Sequence, residues 1–270
     1  MSLPRRRWMD MTTEDFRDPG VKDWIAVMPI AAVEQHGPHL PVGVDAMIGE
    51  GHLARAEPLI PDDLPVTFLP FQQIGTSAEH IAFPGTLSLS PETVIAAWTD
   101  IGASVARAGV RKLVLINSHG GNTAVLDIVA RRLRVEHGML AVTASWQRFG
   151  FPAGLFEPDE IRHGIHAGGI ETALMLAFRS DLVRMEKAQD FRPMTVDMER
   201  DFAQLRASTP AGFGWMAQDV HPSGAVGNAA SGRAEDGEAA ADHGARAFVA
   251  LLEDVARFPM EKLASWPPEK

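Results

Sequence analysis

The sequence predicts an α/β fold, a three-layer α/β/α sandwich around a mainly parallel central sheet, in a single domain spanning 1–270. Three observations predict it. Short, continuous apolar runs suit strands covered on both faces. Segments of helical periodicity alternate with them and are long enough to act as the crossovers that parallel strands require. No internal repeat and no low-complexity linker divides the chain.

Trp24–Ile30 (W-I-A-V-M-P-I) is the first apolar run, and Ala46–Ala56 is the helix after it. Pro65–Pro70 holds a second short strand. Pro91–Ala108 opens with Ser90, Pro91 and Glu92: an N-cap serine, an N1 proline and a first-turn acid, which mark a helix start. Lys112–Asn117 (K-L-V-L-I-N) is the strongest strand signal. Thr123–His137 is a helix closed by Gly138, and Leu140–Ser145 is a further strand. Gly168–Phe178 and the alanine-rich Glu235–Arg257 read as helices. Residues 185–232 scatter Gly, Pro, Met and polar residues and are expected to form an irregular excursion or lid on the sheet.

Composition narrows function by exclusion. Lys+Arg number 25 against 35 Asp+Glu, a formal charge of −10 with no long basic run, which argues against a nucleic-acid partner. No apolar run approaches the ~20 residues of a membrane span. No apolar stretch follows the basic M-S-L-P-R-R-R start, so a secretory signal is not expected and a cytoplasmic protein is. The absence of cysteine removes disulfides, zinc ribbons, iron–sulfur clusters and thiol nucleophiles. Any metal site must therefore use His, Asp and Glu.

In open α/β sheets ligands bind beyond the carboxyl ends of the strands, which singles out the loops after Ile30 and Asn117. The first reads A-A-V-E-Q-H-G-P-H-L-P-V-G-V-D. Glu34 and His36 are two apart, so in extended chain they face one side; Gln35, His39 and Asp45 lie close by. Carboxylates with imidazoles and no sulfur suit Zn²⁺, Mn²⁺ or Fe²⁺. The second loop, N-S-H-G-G-N-T, projects His119 at the end of its strand; Gly120 and Gly121 permit a tight turn, and Asn122 is placed to cap the next helix. It is no phosphate loop, because no Lys follows the glycines. A third segment, G-I-H-A-G-G-I-E-T, sets His166 in the loop entering a helix and Glu171 in its first or second turn.

Together V-E-Q-H-G-P-H-L-P-V-G-V-D, S-A-E-H-I-A-F-P-G-T-L-S-L at Ser77–Leu89, N-S-H-G-G-N and H-A-G-G-I-E-T resemble the creatininase (creatinine amidohydrolase) family over about residues 20–180. The resemblance implies a creatininase-like sandwich, two divalent metal ions per chain (Zn, Mn or Fe), hydrolysis of amide-type C–N bonds and a homo-oligomer, often a hexamer. By it Glu34, His36, Asp45 and His119 match metal ligands, with Asp45 bridging. His166 matches a catalytic histidine and Glu171 a glutamate beside the metals. His80 belongs to the general family pattern and is expected to line the pocket or support a ligand.

The departures carry expectations of their own. Creatininase has a Tyr-Glu pair after the histidine that matches His119, its Glu a metal ligand and its Tyr facing substrate; this chain has Gly120 and Gly121 there, and Arg162 where creatininase has a substrate-lining Trp. Creatinine is therefore not the expected substrate. A glycine donates no side-chain oxygen, so the metal held by His36 must find its carboxylate elsewhere. Glu171 is the first candidate, with Glu79 and Glu157 as substitutes. The expected chemistry is attack by a metal-activated hydroxide on a small amide, with His166 protonating the departing nitrogen and Gln35, His39, His80, Gly120 and Gly121 around the substrate. The alternatives are a metallopeptidase of the mycofactocin-maturation type and an inactive metal- or small-molecule-binding relative.

Overall fold

The computed structural model describes residues 3–264. Four parallel strands form the sheet: β1 (Ile25–Ile30), β2 (Val66–Phe68), β3 (Lys112–Asn117) and β4 (Leu140–Ser145), in the order β2-β1-β3-β4. β1 pairs with β3 from Ile25↔Lys112 to Ile30↔Asn117. β2 lies within the expected Pro65–Pro70 segment, where the proline at either end lacks the N–H to extend the ladder. Pro29 is tolerated in the central strand because β2 has already ended at Phe68 on the edge that its missing N–H would face.

Side chains alternate between the two faces of the sheet, and so does the core. Ala26, Met28, Leu113 and Leu115 pack with Val94, Trp98 and Val105 of α2 (Pro91–Arg107) and Leu126, Val129 and Leu133 of α3 (Thr123–His137). Ile25, Val27, Val114 and Ile116 meet Leu53 and Ala56 of α1 (Val44–Ala56) and Phe248 and Leu252 of α8 (Ala234–Arg257). A third cluster joins Ile48 of α1, Ile170 and Leu174 of α5 (Gly169–Arg179), and Ala240 and Ala241 of α8. Full burial of each large apolar side chain contributes roughly 1.5–3 kcal/mol. The expected end signals operate: Ser90 Oγ accepts from Thr93 N (3.3 Å), and Gly138, with φ 64°, closes α3.

Two expectations are corrected. Helix α1 begins at Val44 rather than Ala46, because Gly43 O already accepts from Met47 N. Asp45 therefore stands in a first helical turn and not on the loop. Residues 185–232 are less irregular than expected. Besides the short α4 (Pro158–His163) before it, the chain there forms β5 (Asp190–Phe191), α6 (Met194–Asp201), α7 (Ala217–Val220) and β6 (Gly227–Asn228), with β5 and β6 antiparallel. These elements are too short and too polar to show a periodicity in sequence. Among the described residues no helix is long and apolar enough to cross a membrane.

The strand order also fixes where a site forms. From β1 the chain passes through α1 to β2 on one side, and then through α2 to β3 on the other. The loops leaving β1 and β3 diverge over a crevice at the sheet's carboxyl edge.

Candidate metal centre

Glu34, His36 and His119 reach the crevice from the loops after β1 and β3, Asp45 from the first turn of α1, and His166 and Glu171 from the entry and first turn of α5. All are buried but Glu171, whose side chain keeps 14% of its surface exposed.

The hydrogen bonds assign the imidazole protons. His36 Nδ1–H donates to Glu34 O (2.9 Å), so Nε2 carries a lone pair; it faces Asp45 Oδ1 and Glu171 Oε2, each at 3.6 Å. His119 Nε2–H donates to Thr76 O (3.0 Å), so the Nδ1 lone pair faces Glu34 Oε1 at 3.2 Å and Asp45 Oδ2 at 3.6 Å. Each set consists of acceptors pointed at one another. Glu34 Oε1 and Oε2, His36 Nε2 and Asp45 Oδ2 are buried with no hydrogen-bond partner. Unsatisfied buried acceptors cost roughly 1–3 kcal/mol each, more when charged, so the arrangement calls for cations. The spacing agrees: ligand atoms ~2.0–2.2 Å from a tetrahedral ion lie ~3.3–3.6 Å apart. Glu34, Asp45 and His119 fit one divalent ion and His36, Asp45 and Glu171 a second, with one Asp45 oxygen toward each.

The electrostatics of the bare protein match. Burial disfavours a charged His36, yet Asp45 and Glu171 beside it raise its pKa to about 9; burial likewise opposes charge on His119, and Glu34 and Asp45 raise it to about 10. Burial raises Glu171 to about 7, and burial with the neighbouring Glu34 raises Asp45. Glu34 is held low despite its burial, by His119, His166 and His80.

A supporting layer holds these groups. Gln35 Oε1 accepts from Gly37 N (2.9 Å), which orients the amide; its Nε2 then donates to His80 Nδ1 (2.8 Å) and Gly224 O (3.0 Å). His80 must carry its proton on Nε2, which faces Glu34 Oε1 at 3.3 Å. His166 donates Nε2–H to Gln35 O (2.6 Å), and its Nδ1 lies 3.5 Å from Glu34 Oε1. Burial and the adjacent His36 hold His166 neutral, well below the usual imidazole range. A cleft of about 330 Å³ opens from Gln35 and His36 past Val42, Phe83 and Pro84. Gly120 stands clear, with nothing near the position of a Cβ.

Some expected residues lie elsewhere. His39 does not line the cleft: its Nε2 bonds Thr172 Oγ1 (3.0 Å) and its ring stacks on Phe191, 5.6 Å between centroids. Glu157 precedes α4 and borders an outer cavity. Asn122 makes no helix cap, since its backbone is already helical (φ −74°, ψ −15°). Its side chain ties three loops instead, donating to Ala31 O (3.0 Å) and Asn117 Oδ1 (3.1 Å) and accepting from Thr76 N (3.1 Å). Val226 was also missed; its N–H donates to His166 O (2.7 Å) from within the 185–232 segment. Nothing local in the sequence signals these long-range partners, although a polar Asn beside two glycines marks a loop under constraint.

Comparison with known proteins gives a consistent picture. The creatininase family profile, described as creatinine amidohydrolase, matches residues 9–252. A creatinine amidohydrolase of Pseudomonas putida is 30% identical over 205 residues, 70% of this chain and 77% of its own length. A mycofactocin precursor peptide peptidase of Mycobacterium tuberculosis is 30% identical over 254 residues, 90% of this chain and 86% of its own. Among solved structures, a mutant creatininase of the Zn–Zn type superposes with a TM-score of 0.71 at 24% identity, covering 92% of this chain and 97% of that one.

Proposed function

The chain belongs to the creatininase family of hydrolases, and we propose that it is a metal-dependent amidohydrolase cleaving a C–N bond of a small non-peptide or cyclic amide. One observation carries this reading: two sets of mutually facing acceptors share the two oxygens of Asp45, and Glu34 Oε1 and Oε2, His36 Nε2 and Asp45 Oδ2 among them have no hydrogen-bond partner. Two divalent ions bound there would polarise a carbonyl and lower the pKa of a water toward ~7.

The chain's own residues supply the rest. Glu34, Asp45 and His119 would hold one ion, and His36, Asp45 and Glu171 the other. His80 and Gln35 fix Glu34 and the ring of His166. His166, with Nε2–H committed to a carbonyl, keeps a free Nδ1 toward the centre; there it would take up the proton released by the attacking water and hand it to the departing nitrogen. The apolar lip of Val42, Phe83 and Pro84 receives the body of the substrate and sheds water from it. A peptidase acting on a short peptide is the second reading, favoured because the peptidase relative aligns over more of this chain than the creatinine amidohydrolase does.

The test is metal content together with turnover on a panel of cyclic amides, formamides and short peptides. The expected result is two equivalents of metal, hydrolysis of an amide or formamide, loss of activity on chelation and recovery with Zn²⁺ or Mn²⁺. Undiminished activity in metal-free protein overturns the mechanism. Cleavage of peptides alone moves the assignment to the second reading, and full occupancy without turnover makes the protein a binder.

A further inference from the structure

Gly121 leaves open a volume beside His119 that a different loop fills. A Cβ at this position would run into both Glu79 Oε1 and His119 Nε2, closer than real Cβ contacts occur. Glu79 comes from the short turn Ala78–His80. Thr76, just before that turn, takes the His119 Nε2 proton on its carbonyl, and His80 within it faces Glu34. One turn thus touches both ligands of the Glu34–His119 half.

The Glu79 carboxylate is bonded by no other side chain among the described residues. Its Oε1 lies 3.5 Å from His119 Nε2, and a carboxylate oxygen comes within 4.8 Å of the ligand atoms of Glu34 and His80. It stands on the outer edge of the His119 ring, since Nδ1 is the atom turned to Glu34 and Asp45. A dication on Nδ1 draws electron density from the ring and leaves its outer edge more positive. Thr76 O is a neutral acceptor there, and a carboxylate on the same edge strengthens the ring as a donor.

We propose that Glu79 is a positioning residue of the metal centre, supplying the negative charge behind His119 in a volume that Gly121 keeps free. This rests on the metal-centre reading above, and the test separates the two. Zinc affinity is measured by competition with a chromophoric chelator in wild type, Glu79→Gln and Gly121→Ala, with thermal unfolding of the metal-free proteins alongside. Glu79→Gln, of the same shape without the charge, is expected to weaken one of the two zinc equivalents by ~10–100-fold and to leave metal-free unfolding unchanged. Gly121→Ala, whose Cβ would press on both the Glu79 carboxylate and the His119 ring, is expected to weaken the same equivalent at least as much. Wild-type affinity for both equivalents in Glu79→Gln overturns the proposal alone, as does equal weakening of both. A wild-type chain that binds no divalent metal overturns the metal-centre reading and this one with it.

Discussion

The two halves of the centre meet at Asp45 but are held by different kinds of structure. Glu34 and His119 stand on loops leaving adjacent strands, where Asn122 bonds the Ala31 carbonyl after one strand and the Asn117 side chain at the end of the other, and the carbonyl of Thr76 holds the His119 ring. This half is an extension of the sheet. His36 and Glu171 face each other between a loop and a helix. Glu171 rides on α5, which packs on α1 and α8 through Ile48, Ile170, Leu174 and Ala240. Its Oε2 accepts from Ala167 N (2.6 Å), and Ala167 holds φ 53°, a left-handed conformation that costs a non-glycine residue roughly 1–2 kcal/mol. Hydrogen bonds to the sheet organise the first half in advance, whereas helix packing and one strained residue place the second.

The contrast can be broken first at the group the halves share. Asp45→Ala should release both metal equivalents and reduce turnover beyond the ~10²–10⁴-fold expected from losing one acid–base group. Circular dichroism should stay near wild type, because alanine suits a first helical turn. Two equivalents still bound by that variant would show that Asp45 does not join the halves.

Glu171→Gln should be more selective, dropping the stoichiometry from two to one while the Glu34–His119 equivalent persists. Elemental analysis decides it; a variant that loses both ions would mean that the sheet-borne half cannot hold metal alone.

The smallest expected effect lies in the helix packing behind Glu171. His52 of α1 is buried, stacked on Trp146 at 4.5 Å and edge-on to Phe178 of α5 at 5.6 Å. Burial lowers its pKa from 6.5 to about 4. The folded state therefore binds fewer protons than the unfolded chain between these values. Stability is fully present above pH 6.5 and declines as pH falls toward 4, by on the order of 3 kcal/mol for this group. Denaturant unfolding of His52→Gln, compared with wild type at pH 7.5 and 4.5, should show a shallower acid loss in the variant. An identical loss would assign the acid limb to other groups.

Much of the fold was legible because its signals are local. K-L-V-L-I-N is a strand by its apolar run, and Ser90-Pro91 and Gly138 bound their helices through bonds spanning a few residues. The candidate site was legible as residue types: carboxylates and imidazoles beyond two strand ends, and a chain without cysteine that leaves no other ligands. His39 was misplaced and Asn122 misread because a loop side chain's role depends on what the rest of the fold presents to it. The two-residue shift of the α1 start, which takes Asp45 into the helix, was set by Gly43, where the sequence offers no cap side chain.

By itself the sequence determined the alternation of strands and helices, the parallel sheet that follows from it, and the hard N/O ligand chemistry. Only the tertiary structure decided which residues converge. The β2-β1-β3-β4 order places residues 34, 45, 79, 119 and 171 in one crevice, pairs each Asp45 oxygen with a different imidazole, and puts Glu79 in the volume that Gly121 leaves. Those placements arise from burial and hydrogen bonding between distant segments, such as Gln35 with His166 (sequence separation 131) and Gln35 with Gly224 (sequence separation 189), and no local preference of the chain encodes them.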